Sequence, residues 1–309
     1  MIIVNSISKS YGNIVSLNDI SFNIRKGEIF GLLGPNGAGK STIVNILNTI
    51  LKPDSGEIFI DGVNLKLNPD SCKMIMGIVP QEIALYENLS AYENLLFWGG
   101  LYNVPRSVLK KIAIEILGLI GLSSRKDDSI KTFSGGMKRR INIACSLLHK
   151  PRILVMDEPT IGVDPQNRNH IFKIIENLNS EGITIIYTTH YMDEAERLCD
   201  RIAIIDNGII KAQGTLQELR NISRSREIVT IKLKFLSDQI VNYISNKMSF
   251  PVIDRVLNII KVECKDVGSE ISDILKHLHS AGAEIKSIDT QDADLESIFL
   301  KLTGKKLRD

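Results

Sequence analysis

The sequence predicts an α/β chain: a mostly parallel sheet covered by helices on both faces, followed by a smaller α+β unit. Three observations carry this. Strand-like apolar runs alternate with helix-like segments over the first two thirds. The texture changes after "TLQELRNISRSRE". The 309 residues, 43% of them hydrophobic, suffice for roughly two domains with substantial cores.

The apolar run "EIFGLLG" reads as a strand, and the helical pattern "KSTIVNILNTIL" follows it. "GEIFIDG" and "IMGIVPQ" are short strands; "SAYENLLFWGGLYNV" and "RSVLKKIAIEILGLIG" have helical periodicity. Next come the basic, helix-like "SGGMKRR", the strand "RILVMDEP", a helix from Pro165, the strand "GITIIYTTH", the helix "MDEAERLC", the strand "RIAIID", and a turn with a short strand in "NGIIKAQGT". The polar stretch 221–227 reads as a linker, which divides the chain into residues 1–220 and 221–309. Beyond it the order strand, helix, strand, helix, strand, helix resembles a small ferredoxin-like sandwich.

A formal net charge of +2 gives no support to a polyanion-binding role. The N-terminus lacks a signal-peptide pattern, and the most apolar run, "IAIEILGLIGL", is short and contains Glu115, so no span is expected. The four cysteines are scattered and read as buried small hydrophobes in a reducing compartment. The histidines form no metal pattern.

"GPNGAGKST" fits G-x-x-x-x-G-K-[ST] from Gly34 to Ser41, after a strand and before a helix. Gly34, Gly37 and Gly39 would let the backbone turn so that several N–H groups face phosphate oxygens, and Pro35, Asn36 and Ala38 complete the nucleotide-binding loop. Lys40 would place its charge on the β- and γ-phosphates of ATP. Ser41 would ligate Mg²⁺, and Thr42 would extend the contact. An ordinary glycine-rich turn is the bland alternative; the strand–helix setting argues against it.

"ILVMDEP" is a buried strand delivering Asp157 and Glu158 at its C-terminal end, where doubly wound sheets bind ligands. Asp157 would hold Mg²⁺, and Glu158 would polarise the attacking water as general base. Adjacent acids alone more often mark a solvated turn. Gln81, after another short strand, can offer an amide oxygen to Mg²⁺ and water. His190, closing "YTTH", can donate to the γ-phosphate or the water. Tyr11, before a turn, can stack on adenine, with core packing as the alternative. Ser134 is a good N-cap, and Gly135 and Gly136 leave N–H groups open at the positive end of a helix, a second place suited to phosphate.

The P-loop, Gln81, "FSGGMKRR", "MDEP", "VDP" and "TTH", in this order, resemble the ATP-binding subunit of an ABC transporter over residues 2 to 220. The resemblance implies a P-loop NTPase fold of ABC ATPase type. It also implies a head-to-tail dimer, a homodimer or a pair with a paralogous ATPase, with each ATP between the P-loop of one copy and the "SGG" of the other. Asp164 would then lie at the dimer seam. Phe133 replaces the usual leucine before "SGG". "NLSAYENLLFWGGLYNVP", "EPTIGVDPQNR" and the closing "DLESIFLKLTGKKLRD" resemble the daunorubicin-resistance-like ATPases that energise ABC-2-type exporters. That subgroup implies a separate membrane permease as partner and a peripheral position on the cytoplasmic face of the membrane. An ABC-type ATPase acting on nucleic acid or the ribosome is the rival reading. A second cassette, a coiled coil or basic arms would be its signs, and none is present in the sequence, so no nucleic-acid partner is expected. A P-loop kinase or GTPase would leave "SGGMKRR" and His190 unexplained.

Overall fold

The computed structural model describes residues 1–223, 227–247, 252–254, 257–264, 267–291 and 294–304. They form two compact units, Met1–Leu216 and the described residues from Gln217 on.

The first unit opens with two antiparallel strands, β1 (Ile2–Tyr11) and β2 (Ile14–Ile24). β3 (Ile29–Leu33) leads into α1 (Lys40–Leu47). β4 (Ser55–Ile60), β5 (Val63–Asn64), α2 (Pro69–Lys73) and β6 (Met76–Val79) follow. Three helices come next: α3 (Ala91–Gly100), α4 (Arg106–Leu119) and α5 (Gly135–Cys145). A capping box starts α3: Ser90 Oγ accepts from the Glu93 N–H, and the Glu93 carboxylate accepts from the Ser90 N–H. The unit continues through β7 (Ile153–Asp157), α6 (Pro165–Ser180), β8 (Thr184–Thr189), α7 (Met192–Leu198), β9 (Arg201–Asp206) and β10 (Ile209–Gly214).

These strands make two sheets. The larger runs β10-β9-β3-β8-β7-β6, parallel except for β10. β10 turns back from β9 through Asn207 and Gly208, both at positive φ, the conformation a tight hairpin of this hand needs. The smaller sheet is antiparallel, in the order β2-β1-β4-β5.

Alternation along the buried strands explains the layering. Leu154, Met156, Ile185 and Tyr187 point into a core shared with α3 to α6. Ile153, Val155 and Ile186 point the other way, onto α1 and the small sheet. Both faces of the parallel sheet are therefore covered, as the sequence predicts. The small sheet is an addition to that prediction. Its strands β1 and β2 break strict alternation: the buried residues run Val4 to Ile7 and Leu17 to Ile20, three apart, across register shifts.

From Gln217 on, the second unit contains all but the first residue of α8 (Leu216–Ser223), then β11 (Glu227–Leu233), α9 (Asp238–Lys247), β12 (Val252–Asp254), β13 (Ile259–Cys264), α10 (Val267–Ser280), β14 (Ile285–Gln291) and α11 (Leu295–Thr303). Of the stretch read as a linker, 221–223 close α8, 224–226 lie outside the described residues, and Glu227 opens β11. The sheet is antiparallel in the order β12-β13-β11-β14, the ferredoxin-like split βαβ arrangement. Val229, Ile231 and Leu233 of β11 pack with Ile240 and Ile244 of α9 and with Ile274 and Leu278 of α10. β12, three residues long, was not anticipated from the sequence.

Candidate functional site

The site lies at the C-terminal ends of β3, β7 and β8. β3 ends at Leu33, and the P-loop begins where the Gly34 N–H donates to the Thr189 carbonyl at 3.3 Å. A Cβ on Gly34 would stand 2.3 Å from the Ile205 carbonyl oxygen, so only glycine permits this approach. Gly39 has φ 110° and is the N-cap of α1, with no side chain capping the helix. The first N–H groups of α1 are thus left for another acceptor, at the positive end of the helix dipole. Ser41 is exposed at this end, and Thr42 Oγ1 lies 2.9 Å from Ser16 Oγ of β2. Tyr11 is 46% exposed and pairs with Ile14, at the hairpin leading into the β2 residues beside the P-loop. It does not serve as a core residue.

Lys40 is buried. Its Nζ donates to the Gly34 carbonyl at 2.7 Å and the Pro35 carbonyl at 3.1 Å, and lies 3.1 Å from Glu158 Oε1. The other Glu158 oxygen, Oε2, lies 3.1 Å from His190 Nδ1. The structure thus brings together Lys40, Glu158 and His190, which are far apart in sequence. Glu158 has φ 45°, the left-handed region, where a non-glycine residue is held only by its surroundings.

Thr188, one residue of β8, supplies much of that hold. Its Oγ1 donates to Asp157 Oδ1 at 2.6 Å and accepts from the Glu158 N–H at 2.9 Å. Sequence reasoning passed over Thr188, although "YTTH" displays it directly before the strand end. A second buried network was also missed. Glu194 of α7 accepts from Thr160 Oγ1 at 2.7 Å, Tyr187 Oη at 2.7 Å and Thr189 Oγ1 at 3.0 Å. Burial, and then the Glu194 charge, push the Tyr187 phenol well above its ordinary pKa, so it stays a donor.

The second stretch that the sequence suits to phosphate is the start of α5. Ser134 Oγ accepts from the Met137 N–H at 3.3 Å. Ser134 and Gly135 are exposed, and a Cβ on Gly135 would meet nothing within 4 Å. Gly136 differs: it is buried, and a Cβ there would stand 2.4 Å from Asn167. Asn167 caps the arrangement by donating from Nδ2 to Asp164 Oδ2 at 2.7 Å and from its backbone to Oδ1 at 3.0 Å. The "SGG" turn and Asp164 are therefore neighbours in one chain.

The basic residues after "SGG" do not join this turn. Lys138 pairs with Glu87 at 2.6 Å. Arg139, buried, donates to the carbonyls of Pro80 and Gln81 at 2.8 and 2.5 Å, and so holds the backbone that carries Gln81. The Gln81 side chain is exposed. Arg140 donates to the Ile120 carbonyl at 2.8 Å and reaches Asn167 at 3.4 Å. Phe133 is buried, with the Arg125 guanidinium 5.2 Å above its ring, so the aromatic replacement for leucine packs in the core.

Residues 17–161 match the family model described as ABC transporter. The chain is 42% identical over 314 residues to the linearmycin resistance ATP-binding protein LnrL of Bacillus subtilis, with all of both chains covered. It is 36% identical to the doxorubicin resistance ATP-binding protein DrrA of Mycobacterium tuberculosis, covering 98% of this chain and 93% of that one. It is 33% identical to the Nod factor export ATP-binding protein I of Ralstonia nicotianae, covering 99% and 94%. Among solved structures, the dimeric cassette MJ0796 bound to ADP and Pi superposes with a TM-score of 0.63 at 29% identity, over 70% of this chain and 99% of that one. With the P-loop, the paired acids, the histidine and the "SGG" turn on one α/β unit, and with these relatives, the chain belongs to the ATP-binding proteins of ABC transporters and is an ATPase of that family.

Proposed function

We propose that this chain hydrolyses ATP as a head-to-tail dimer and thereby drives export through a separate ABC-2-type permease in the membrane. The observation that carries the reading is the pair of phosphate cradles on one unit: the uncapped start of α1 with its buried Lys40, and the exposed Ser134–Gly135 turn. Each cradle would hold a different ATP, shared with the partner copy, which is the same chain or a paralogue. The names of the relatives speak of drug resistance and Nod factor export, which supports the exporter reading. No helix among the described residues is long and apolar enough to cross a membrane, which suits a subunit bound to a permease on the cytoplasmic face.

The residues present suit ATP with Mg²⁺. Only glycine fits at Gly34, free N–H groups open the helix, and a buried ammonium faces the same end. Ser41, Asp157 and Gln81 would hold Mg²⁺, which supplies charge neutralisation for the phosphates. Lys40 would bind the β- and γ-phosphates. Glu158 would polarise the attacking water, and His190, already in contact with that carboxylate, would orient it. Tyr11 would stack on the adenine.

Affinity purification of the tagged chain from detergent-solubilised membranes tests the reading. A multispanning membrane protein should co-purify, and ATP hydrolysis should require Mg²⁺. Recovery with ribosomes or nucleic acid instead would overturn it.

A further inference from the structure

Glu194 is fully buried on α7, and its carboxylate receives three hydroxyl donors from two other segments. A buried carboxylate is costly unless it is well hydrogen-bonded, so such a group holds its partners firmly. Two of the donors have telling positions. Thr160 stands two residues after Glu158, at the start of the loop that runs to Asp164. Thr189 directly precedes His190 and is also the residue whose carbonyl receives the first P-loop N–H. A fourth group approaches from α6: the Arg168 Nε lies 3.5 Å from Glu194 Oε1, and Arg168 sits one turn after the Asp164 N-cap. The same guanidinium lies 5.0 Å above the ring of Tyr191, which packs at 4.1 Å against the His190 ring.

We propose that Glu194 is a positioning residue for ATP hydrolysis: by gripping Thr160 and Thr189 it fixes Glu158 against His190, and through Arg168 it ties both to the loop ending at Asp164. It would not touch nucleotide. The proposal rests on the reading of Glu158 and His190 as the groups that act on the attacking water. Thr188 secures the backbone at Glu158 from one side, and Glu194 secures the loop beyond it from the other. Small displacements matter here, because an error of about 1 Å in a reacting group can cost about 100-fold in rate.

Thr160→Val keeps the shape of a buried side chain and removes the hydroxyl; Thr160→Ser keeps the hydroxyl. Glu194→Gln keeps the shape but leaves a single oxygen for three donors. Steady-state ATPase kinetics on the full chain, with its permease if it requires one, give the readout, and thermal melting gives the folded fraction. Thr160→Val, Thr189→Val and Glu194→Gln should each lower kcat by about 10- to 100-fold, with KM for ATP changed less than about twofold. Thr160→Ser should recover most of the loss. A merely structural role would lower the melting temperature and leave turnover per folded molecule intact. That result, or equal impairment of the Val and Ser variants, overturns the proposal. Glu158→Gln, measured alongside, tests the underlying reading separately. If it stays active, Glu158 is not the base. If it is inactive while Thr160→Val turns over normally, only the role of Glu194 fails.

Discussion

Lys40 Nζ lies 3.1 Å from Glu158 Oε1, and both side chains are buried. The two residues come from the P-loop and from the strand end 118 positions later (158 minus 40), and each has further partners: two carbonyls for Lys40, His190 for Glu158. The ammonium that would meet the phosphates is thus held by three oxygen partners at the end of the parallel sheet. Lys40→Ala should lower ATPase activity by at least about 100-fold, the scale of removing a positioned charge at a reacting phosphate. It would also leave Glu158 buried with one partner fewer. Retention of near wild-type turnover would mean that the P-loop lysine has no part in the reaction.

Gly135 and Gly136 should respond oppositely to alanine. At Gly135 a Cβ meets open space, so Gly135→Ala should melt like wild type. At Gly136 it would overlap the Cβ of Asn167 at 2.5 Å, an atom close to the backbone that cannot swing away. Gly136→Ala should cost about 1–3 kcal/mol, the usual range for overpacking, and push Asn167 off Asp164. Urea denaturation of the two variants decides it.

Thr188→Val should destabilise through an orphaned donor. The Glu158 N–H is buried, and Thr188 Oγ1 is its acceptor. Leaving it unpaired costs about 1–3 kcal/mol, and the left-handed backbone at Glu158 adds to the tendency to relax. Asp157 also loses its hydroxyl donor. The same denaturation assay should show the loss, and Thr188→Ser should restore stability.

Asp164 carries a pH signature. Its carboxyl is held below the ordinary range, first by the Asn167 side-chain amide and then by the Asn167 backbone N–H. A carboxylate with a depressed folded pKa stabilises fully above the unfolded value, about 3.9, and loses that contribution as pH falls through the lower folded value. The difference in melting temperature between wild type and Asp164→Ala should therefore hold steady from neutral pH down to about 4 and close below it. A gap that widens on acidification would contradict the assignment.

The sequence displayed the parallel sheet because each of its strands is a short apolar run with a helix beside it. It concealed β1 and β2 because a bulge in each shifts the buried positions by one, from Val4 to Ile7 and from Leu17 to Ile20. The motif residues were legible for a similar reason: Gly34 to Thr42 and Ser134 to Gly136 are contiguous in the sequence. Thr188, Thr160 and Glu194 were not. A threonine in a strand or a glutamate in an amphipathic helix is ordinary by pattern, and only the sheet brings Thr188 to Asp157 from 31 residues away. Arg139 and Arg140 were visible as charge, yet their roles, on the carbonyls of Pro80, Gln81 and Ile120, depend on folding.

The two-cradle account is tested most directly by light scattering on Glu158→Gln and on Glu158→Gln combined with Gly135→Trp. Glu158→Gln keeps the shape of the side chain and removes the charge that polarises water, so ATP should bind and remain uncleaved. A Cβ at Gly135 meets nothing within 4 Å and the residue is exposed, so the added tryptophan should leave the fold intact while filling the surface where the partner's ATP would sit. The single variant should be monomeric without nucleotide and dimeric with ATP, and the double variant should stay monomeric in both. Equal ATP-driven dimerisation of the two proteins would contradict the account.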